Sequence, residues 1–404
     1  MKNLFNKFIS NYSNLSKECW QSIFLTFVES SATGICFFLS LYFVSVLHMS
    51  IASAGFLISA YGVGTIFGGI LGGKLSDYLS AKRVSVFSLL IQSIAFLLLT
   101  KLENEKILLL NMFIIGVCAY GFMTANNVWM LKQCQDKTEM RLKSINLTRV
   151  SSNLGIGVPG ILIGIFDVNN FHALFYFSSL ALLFSACYFQ FFVTDNSKLL
   201  SSTQNISATL SDGQGQHKKK IIFLMLSCLF LIGFIISQLT VTYPIYIQQS
   251  YPHMGTQAVS ILFMLDTLLI VLFQAPLVNG LSGFNKIFLV GIGAFLMGLG
   301  MFILNFSPIF HLAIVSCLIW TTGEMIFVGM AQFVCYESGA AKKKGQTMGV
   351  FQAVSAAGRV IGPVIGGYIY YYSGGYMLWS LSFAIGIVCF LLCFYFKKYD
   401  FINC

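Results

Sequence analysis

Apolar runs alternate with short polar breaks along almost the whole chain, and a run of about 20 apolar residues is what a helix needs to cross the hydrocarbon of a bilayer. Laid along the sequence, that ruler predicts six helices at roughly 20–45, 52–76, 84–101, 107–131, 143–166 and 171–194. It predicts six more at roughly 221–247, 256–280, 286–306, 309–334, 346–371 and 376–396. Between the sets, 195–220 is rich in Ser, Gln and Gly, ends in Lys218-Lys219-Lys220, and reads as a solvated linker. The pattern describes an all-α membrane protein with 12 transmembrane helices in two six-helix bundles, 1–194 and 221–404, joined by a cytoplasmic linker at 195–220. A shift of 204 residues lays Val150, Ser151 and Pro159 on Val354, Ser355 and Pro363, as expected if the halves are pseudo-symmetric copies. The opening polar stretch carries Lys2, Lys7 and Lys17 and runs into a long apolar span without a cleavage site, so no removable signal is expected.

Composition sharpens this picture. Hydrophobic residues make up 57% of the 404 positions and charged residues 9%, a balance that excludes an ordinary soluble domain. The net charge of +10 finds its partner in anionic headgroups, not in nucleic acid. Lys74, Lys82, Arg83, Lys132, Arg141, the linker lysines and Lys342, Lys343 and Lys344 all fall on one side of the expected topology, against Lys101 and Lys106 on the other. That asymmetry predicts both termini in the cytoplasm, in an integral, multi-pass inner (plasma) membrane protein. Most of the eleven cysteines lie in apolar runs without a C-x-x-C pair and read as small hydrophobes.

The densest charge in the first hundred residues is Gly73-Lys74-Leu75-Ser76-Asp77-Tyr78-Leu79-Ser80-Ala81-Lys82-Arg83, wedged between two apolar runs. Such a hairpin belongs at the membrane surface. Just upstream, Gly64, Gly68 and Gly72 recur every four residues, share a helix face and let a neighbouring backbone come close. The hairpin resembles the loop between the second and third helices of the major facilitator superfamily, roughly G-x-L-a-D-r-x-G-r-k. Gly73, Leu75, Asp77 and Lys82 match it, while Tyr78, Ser80 and Ala81 depart from it. The resemblance implies that Asp77 caps the start of a neighbouring helix and pairs with basic residues, Lys82 and Arg83 being candidates, to hold one of two transport states.

Four ionisable residues lie well inside apolar runs: Glu29, Asp266, Glu324 and Arg359. Charge there is expensive unless it faces a partner or a watery cavity, so these residues mark the interior. By the resemblance, the first and tenth helices line a central cavity, and Glu29 and Glu324 become candidates for the coupling proton. Asp266 is a further candidate, paired with Arg359 or acting in its own right. Trp129, Tyr243 and Trp320, with Met325 and Met330 near Glu324, supply surfaces suited to a bulky, partly apolar ligand.

Gly358-Arg359-Val360-Ile361-Gly362-Pro363-Val364-Ile365-Gly366-Gly367 fits the same superfamily's g-x-x-x-G-P-x-x-G-G helix, in which glycines permit close packing and proline kinks the span. In exporters this pattern belongs to the fifth span, where this chain has only Gly155-Ile156-Gly157-Val158-Pro159-Gly160. The fourth span also lacks the arginine many exporters carry, which leaves Arg359 as the cationic candidate for a proton relay. A phosphate-binding G-x-x-x-x-G-K-[ST] loop is absent and the five histidines are scattered, so neither an ATP-driven pump, an enzyme nor a metal site is expected. The resemblance implies a drug or metabolite:proton antiporter working by alternating access as a monomer, without cofactor. Its partners are a small-molecule substrate, protons and the lipid bilayer. A proton-coupled nutrient importer and a non-transporting membrane sensor are the alternatives.

Overall fold

The computed structural model describes residues 15–39, 42–49, 51–134, 138–165, 171–193, 212–239, 242–254, 256–306, 309–340 and 343–397. Among these the secondary structure is helical throughout: α1 Lys17–Thr33, α2 Ile51–Leu75, α3 Ala81–Leu99, α4 Glu105–Gln133, α5 Thr138–Ile165 and α6 Phe171–Phe192 in the first half. The second half holds α7 Asp212–Gln238, α8 Thr242–Ser250, α9 Thr256–Gly280, α10 Lys286–Ile303, α11 Phe310–Ser338 and α12 Lys344–Phe396. This numbering does not follow the expected spans, because α7 and α8 share the seventh and α12 carries both the eleventh and the twelfth. Within α12 the helix is interrupted at Gly374, whose φ of 75° is a left-handed value that glycine adopts without a Cβ penalty.

Eight helical stretches among the described residues are long and apolar enough to cross a membrane. Two of them, Ser53–Leu99 at 47 residues and Lys344–Phe396 at 53, each hold two of the expected spans. The first and fifth expected spans are not among the eight. α1 is described as 17 residues, carrying Gln21, Ser22, Thr26, Glu29, Ser30 and Ser31, and the first expected span continues beyond the described residues; α5 carries Glu139, Arg141, Lys143, Asn146 and Arg149. Most of the expected linker lies outside the described residues; its last part, from Asp212, is already helical as the start of α7.

The described chain divides into two compact units. One holds 15–193 together with Ala340–Ala353; the other holds 212–339 together with 354–397. The border thus falls inside α12, whose first turns belong with the first half of the chain.

Within each unit equivalent hydrogen bonds recur at a shift of 204, give or take one residue. Tyr42 Oη donates to Leu99 O at 3.2 Å, and Tyr246 Oη to Leu304 O at 2.7 Å. Asn111 Nδ2 reaches Ala95 O at 3.0 Å, and Ser316 Oγ reaches Gly300 O at 2.6 Å. Near the start of the third helix of each half, Lys82 Nζ donates to Val193 O at 2.7 Å and Asn285 Nδ2 to Lys397 O at 2.8 Å. The tyrosine, Lys82 and Asn285 bonds go to carbonyls at helix ends, which have no partner inside the helix.

In the first unit α2 lies flush on α4. A Cβ on Gly64 would strike Phe113 O, one on Gly68 would strike Val117 O, and one on Gly72 would come 2.8 Å from Gly121 Cα. Each partner is four residues beyond the last, so the glycine row and the facing helix keep step and backbones touch where side chains would hold them apart.

Candidate functional site

α2 passes into α3 through a single turn of wider, π-type winding, Ser76–Ser80. Ser76 Oγ back-bonds to Gly72 O at 2.6 Å, and Ser80 Oγ accepts from Arg83 N at 3.3 Å to cap α3. That tight passage projects Asp77 onto the start of α12. Its Oδ1 accepts from Gly345 N at 2.9 Å and its Oδ2 from Gln346 N at 2.7 Å. Both donors belong to the first turn of α12, where amide hydrogens have no partner inside the helix and the dipole favours a negative charge. A second glycine row on α2 makes room for the approach: a Cβ on Gly73 would meet Gly349 Cα at 2.7 Å and one on Gly69 would meet Ala353 N at 2.9 Å. Gly345 lacks a side chain for the same reason, because a Cβ there would lie 2.6 Å from Asp77 Oδ1.

Lys82 serves the other end of a different helix. Its Nζ donates to Gln190 O at 2.9 Å and to Val193 O at 2.7 Å, satisfying carbonyls at the end of α6. Arg83 is exposed. Of the residues expected to form the gate, Gly73 and Asp77 act together on α12, while Lys82 ties α3 to α6.

Inside the first unit, Glu29 is only 6% exposed. Thr33 Oγ1 donates to its Oε1 at 3.1 Å and to its backbone carbonyl at 2.7 Å. Gln92 of α3 and Ser30 lie beside the carboxyl group. Gln92 is fully buried, and both polar atoms of its amide lack a hydrogen bond of good geometry among the described residues.

Inside the second unit, Asp266 of α9 is half-buried and its Oδ1 accepts from Thr321 Oγ1 at 2.9 Å. Four residues earlier on both helices, Cys317 Sγ donates to Leu262 O at 3.4 Å, so α9 and α11 run side by side in register. Glu324 is also half-buried and lies one turn beyond Thr321, on the same face of α11. The structure therefore gathers Asp266 and Glu324 along one seam. Arg359 stands on an exposed side of α12.

The glycine pattern of α12 is used unevenly. A Cβ on Gly358 would lie 2.8 Å from Phe230 O, one on Gly362 would strike Ser237, and one on Gly366 would strike Gln238, all on α7. Gln238 Nε2 also donates to Gly362 O at 2.9 Å, beside Pro363. Gly367 faces open space. In the first unit, α1 and α5 meet through Gly155, where a Cβ would lie 2.7 Å from Phe27 O, and through Pro159, whose ring abuts Gly34.

Trp129, Tyr243 and Trp320, expected among cavity aromatics, are each about 1% exposed and pack inside their own units. Trp129 stacks edge-on against Phe189, and Tyr243 against Trp320 and Trp379. Gln92 and the hydroxyls around Asn126 are not singled out by the sequence patterns above. The signal that finds them is the spacing of Ser22, Thr26, Glu29 and Thr33, three or four residues apart and so on one helix face.

A helical membrane protein with a repeated hydrogen-bond frame and an aspartate grasping a helix start is a narrow class. The family model described as Major Facilitator Superfamily matches residues 22–363. The chain belongs to that superfamily, which makes it a membrane transporter by class and not an enzyme. Among solved structures, the human organic anion transporter MFSD10 (TETRAN) is similar with a TM-score of 0.68 at 14% identity, covering 93% of this chain and 98% of that one. A POT family transporter in complex with a thioalcohol-conjugated peptide is similar with a TM-score of 0.68 at 16% identity, covering 94% and 95%. A point mutant of the nucleoside transporter NupG gives 0.61 at 16% identity, covering 95% and 100%. No curated protein sequence matches the chain. At these identities the likeness is one of fold.

Proposed function

We propose that the chain is a proton-coupled secondary transporter that exports a small, partly apolar organic compound across the inner membrane by alternating access. In this reading it crosses the membrane twelve times, keeps both termini in the cytoplasm and works as a monomer. The observation that carries it is the grip of Asp77 on the first turn of α12. A helix whose first turns are held by one unit and whose remainder belongs to the other is a device for locking and releasing a conformation, which a transport cycle needs and a static scaffold does not. Glu29 in one unit and Asp266 with Glu324 in the other supply acidic groups for proton exchange and for attracting cationic cargo. The three similar structures carry different kinds of cargo on this fold, so cargo is argued from the acidic interior alone.

The experiment is accumulation of lipophilic cationic dyes in energised cells expressing the chain, with and without a protonophore, beside Glu29→Gln and Glu324→Gln. Reduced accumulation that both the protonophore and a substitution abolish supports export coupled to protons. Equal dye accumulation in every arm sinks the cationic-export reading, and proton movement of the opposite sign on substrate addition turns it into import.

A further inference from the structure

Ser16, Cys19, Ser22, Thr26, Glu29 and Thr33 follow one another at steps of three or four residues, so they form one stripe along α1 and its cap. The stripe faces inward: Cys19 and Ser22 are 0% exposed, Thr26 4% and Glu29 6%. A helix face packed inside a bundle is ordinarily apolar at this spacing. Here the polar atoms link up. Ser16 Oγ donates to Cys19 Sγ at 3.3 Å, Cys19 Sγ lies 3.3 Å from Cys134 Sγ, and Cys134 Sγ lies 3.5 Å from Ser144 Oγ. Further in, Thr26 Oγ1 donates to Ser22 O at 2.9 Å, and Asn126 Nδ2 donates to Thr26 Oγ1 at 3.0 Å and to Ser22 O at 3.3 Å.

α1, α3 and α4 of the same unit also carry polar atoms that no described protein group satisfies. Among the described residues, Ser22 Oγ, Asn126 Oδ1, Ser85 Oγ and Thr124 Oγ1 are buried without a hydrogen-bond partner, and the Gln92 amide makes no hydrogen bond of good geometry. A Cβ on Gly121 of α4 would lie 3.0 Å from Ser88 Oγ of α3, so Ser85 and Thr124, each three residues further in opposite directions along antiparallel helices, come level. Gln92 lies beside Glu29 itself. Buried polar atoms with no protein partner are the ordinary ligands of internal water.

We propose that these groups hold a file of water that relays protons between the Glu29 carboxyl and the Ser16 end of α1, inside the first unit. The inference rests on Glu29 taking up the coupling proton. Each water or hydroxyl in the file accepts a proton on one side and passes its own to the next, so no other reactant is needed. The titratable or charged groups along the route are Cys36, which is close enough to Glu29 to interact with it, and at the far end Cys19 and Cys134 with Glu18 and Arg141 beside them. The remaining groups around the carboxyl, Thr33, Ser30 and Gln92, do not titrate and act as ligands for water.

The test reads proton exchange without any transport. In the full chain reconstituted in lipid at acid pH, the infrared band of the protonated Glu29 is identified by its loss in Glu29→Gln, and its shift is followed after transfer into D2O. In Ser22→Ala/Thr26→Val the exchange slows about ten-fold or more, a change expected when hydrogen bonds supporting the path are removed. Ser22→Thr/Thr26→Ser restores hydroxyls and exchanges at the unsubstituted rate. Should the double variant fail to fold, Thr26→Val alone slows exchange in the same sense. Equal rates in all variants overturn the relay, as does a Glu29 band in the unsubstituted chain that does not exchange. If exchange slows as expected while Glu29→Gln retains proton-coupled transport, the water file stands and the coupling role of Glu29 falls.

Discussion

In the first unit α1 meets α5 through hydroxyls: Ser151 Oγ donates to Ile23 O at 2.6 Å and Ser30 and Ser152 hydroxyls lie 3.0 Å apart, with the Glu29 carboxyl close by, beside Ser30 and Gln92 of α3. In the second unit α7 meets α12 through glycine: Gly233 and Gly358 approach so closely that a Cβ on either would lie within about 3.2 Å of the other's Cα. At this seam the correspondence runs at a shift of 203: Gly155 beside Phe27 O answers to Gly358 beside Phe230 O, which sets Ser30 against Gly233 and Glu29 against Ile232. The frame of carbonyl-satisfying bonds recurs while the groups along the seam have been exchanged. Symmetry here preserves what the bilayer demands of any helix bundle, and asymmetry carries the chemistry. The second unit keeps its acids elsewhere, on the α9–α11 seam with Asp266 and Glu324.

The largest effect that would sharpen this contrast comes from the backbone contacts. Gly68→Ala drives a methyl group into Val117 O, and overpacking of this kind costs about 1–3 kcal/mol or more. Thermal unfolding in detergent should show a fall of several degrees. Gly367→Ala, on an exposed stretch of the second unit, should leave the midpoint unchanged or slightly raised, since helical glycine costs up to about 1 kcal/mol relative to alanine. A matching loss at Gly367 would mean that the unevenness within the α12 motif is false.

Next in size are the two seams themselves. Gly155→Ala and Gly358→Ala place a Cβ 2.7 and 2.8 Å from backbone oxygens of Phe27 and Phe230, and each should destabilise by about 1–3 kcal/mol. If only one does, the seams are not equivalent supports. Asp77→Ala removes the acceptors for Gly345 N and Gln346 N, for a loss of about 1–2 kcal/mol, whereas Asp77→Asn retains an acceptor and costs less. The readout is the rate of alkylation of a cysteine placed at Thr347, faster when the helix start is released. The smallest effects are Tyr42→Phe and Tyr246→Phe, about 1 kcal/mol each and equal within error if the frame is truly repeated.

Much of this is legible in the chain without any coordinates. Gly64, Gly68 and Gly72 announce a flush helix contact because a four-residue step keeps them on one face, and that face is where α4 lies. Asp77 stands out by the resemblance of its loop, and its two backbone donors follow from its position beside a helix start. Arg359 and Gly367 show where reading stops. Each neighbours a packed glycine in sequence, but consecutive helical residues point about 100° apart, so a motif written as a string does not say which members face the partner. The burial of Trp129, Tyr243 and Trp320 inside their units is not legible either, because hydrophobicity alone does not distinguish a face against lipid from one against another helix. The inward polarity of α1 is present as a three-and-four spacing, yet the same residues lower its apolarity below that of a typical span.

The sharing of α12 bears on how the molecule could be divided. A cut in the undescribed stretch between 193 and 212 would separate two chains that do not correspond to the two units. The amino-terminal fragment would lack Ala340–Ala353, leaving Gly69, Gly73 and Asp77 with an empty berth, and the carboxy-terminal fragment would carry that segment as an unmatched tab. Co-expressed fragments should therefore reassociate through a tongue and its slot, and a peptide copied from 340–353 should compete for it.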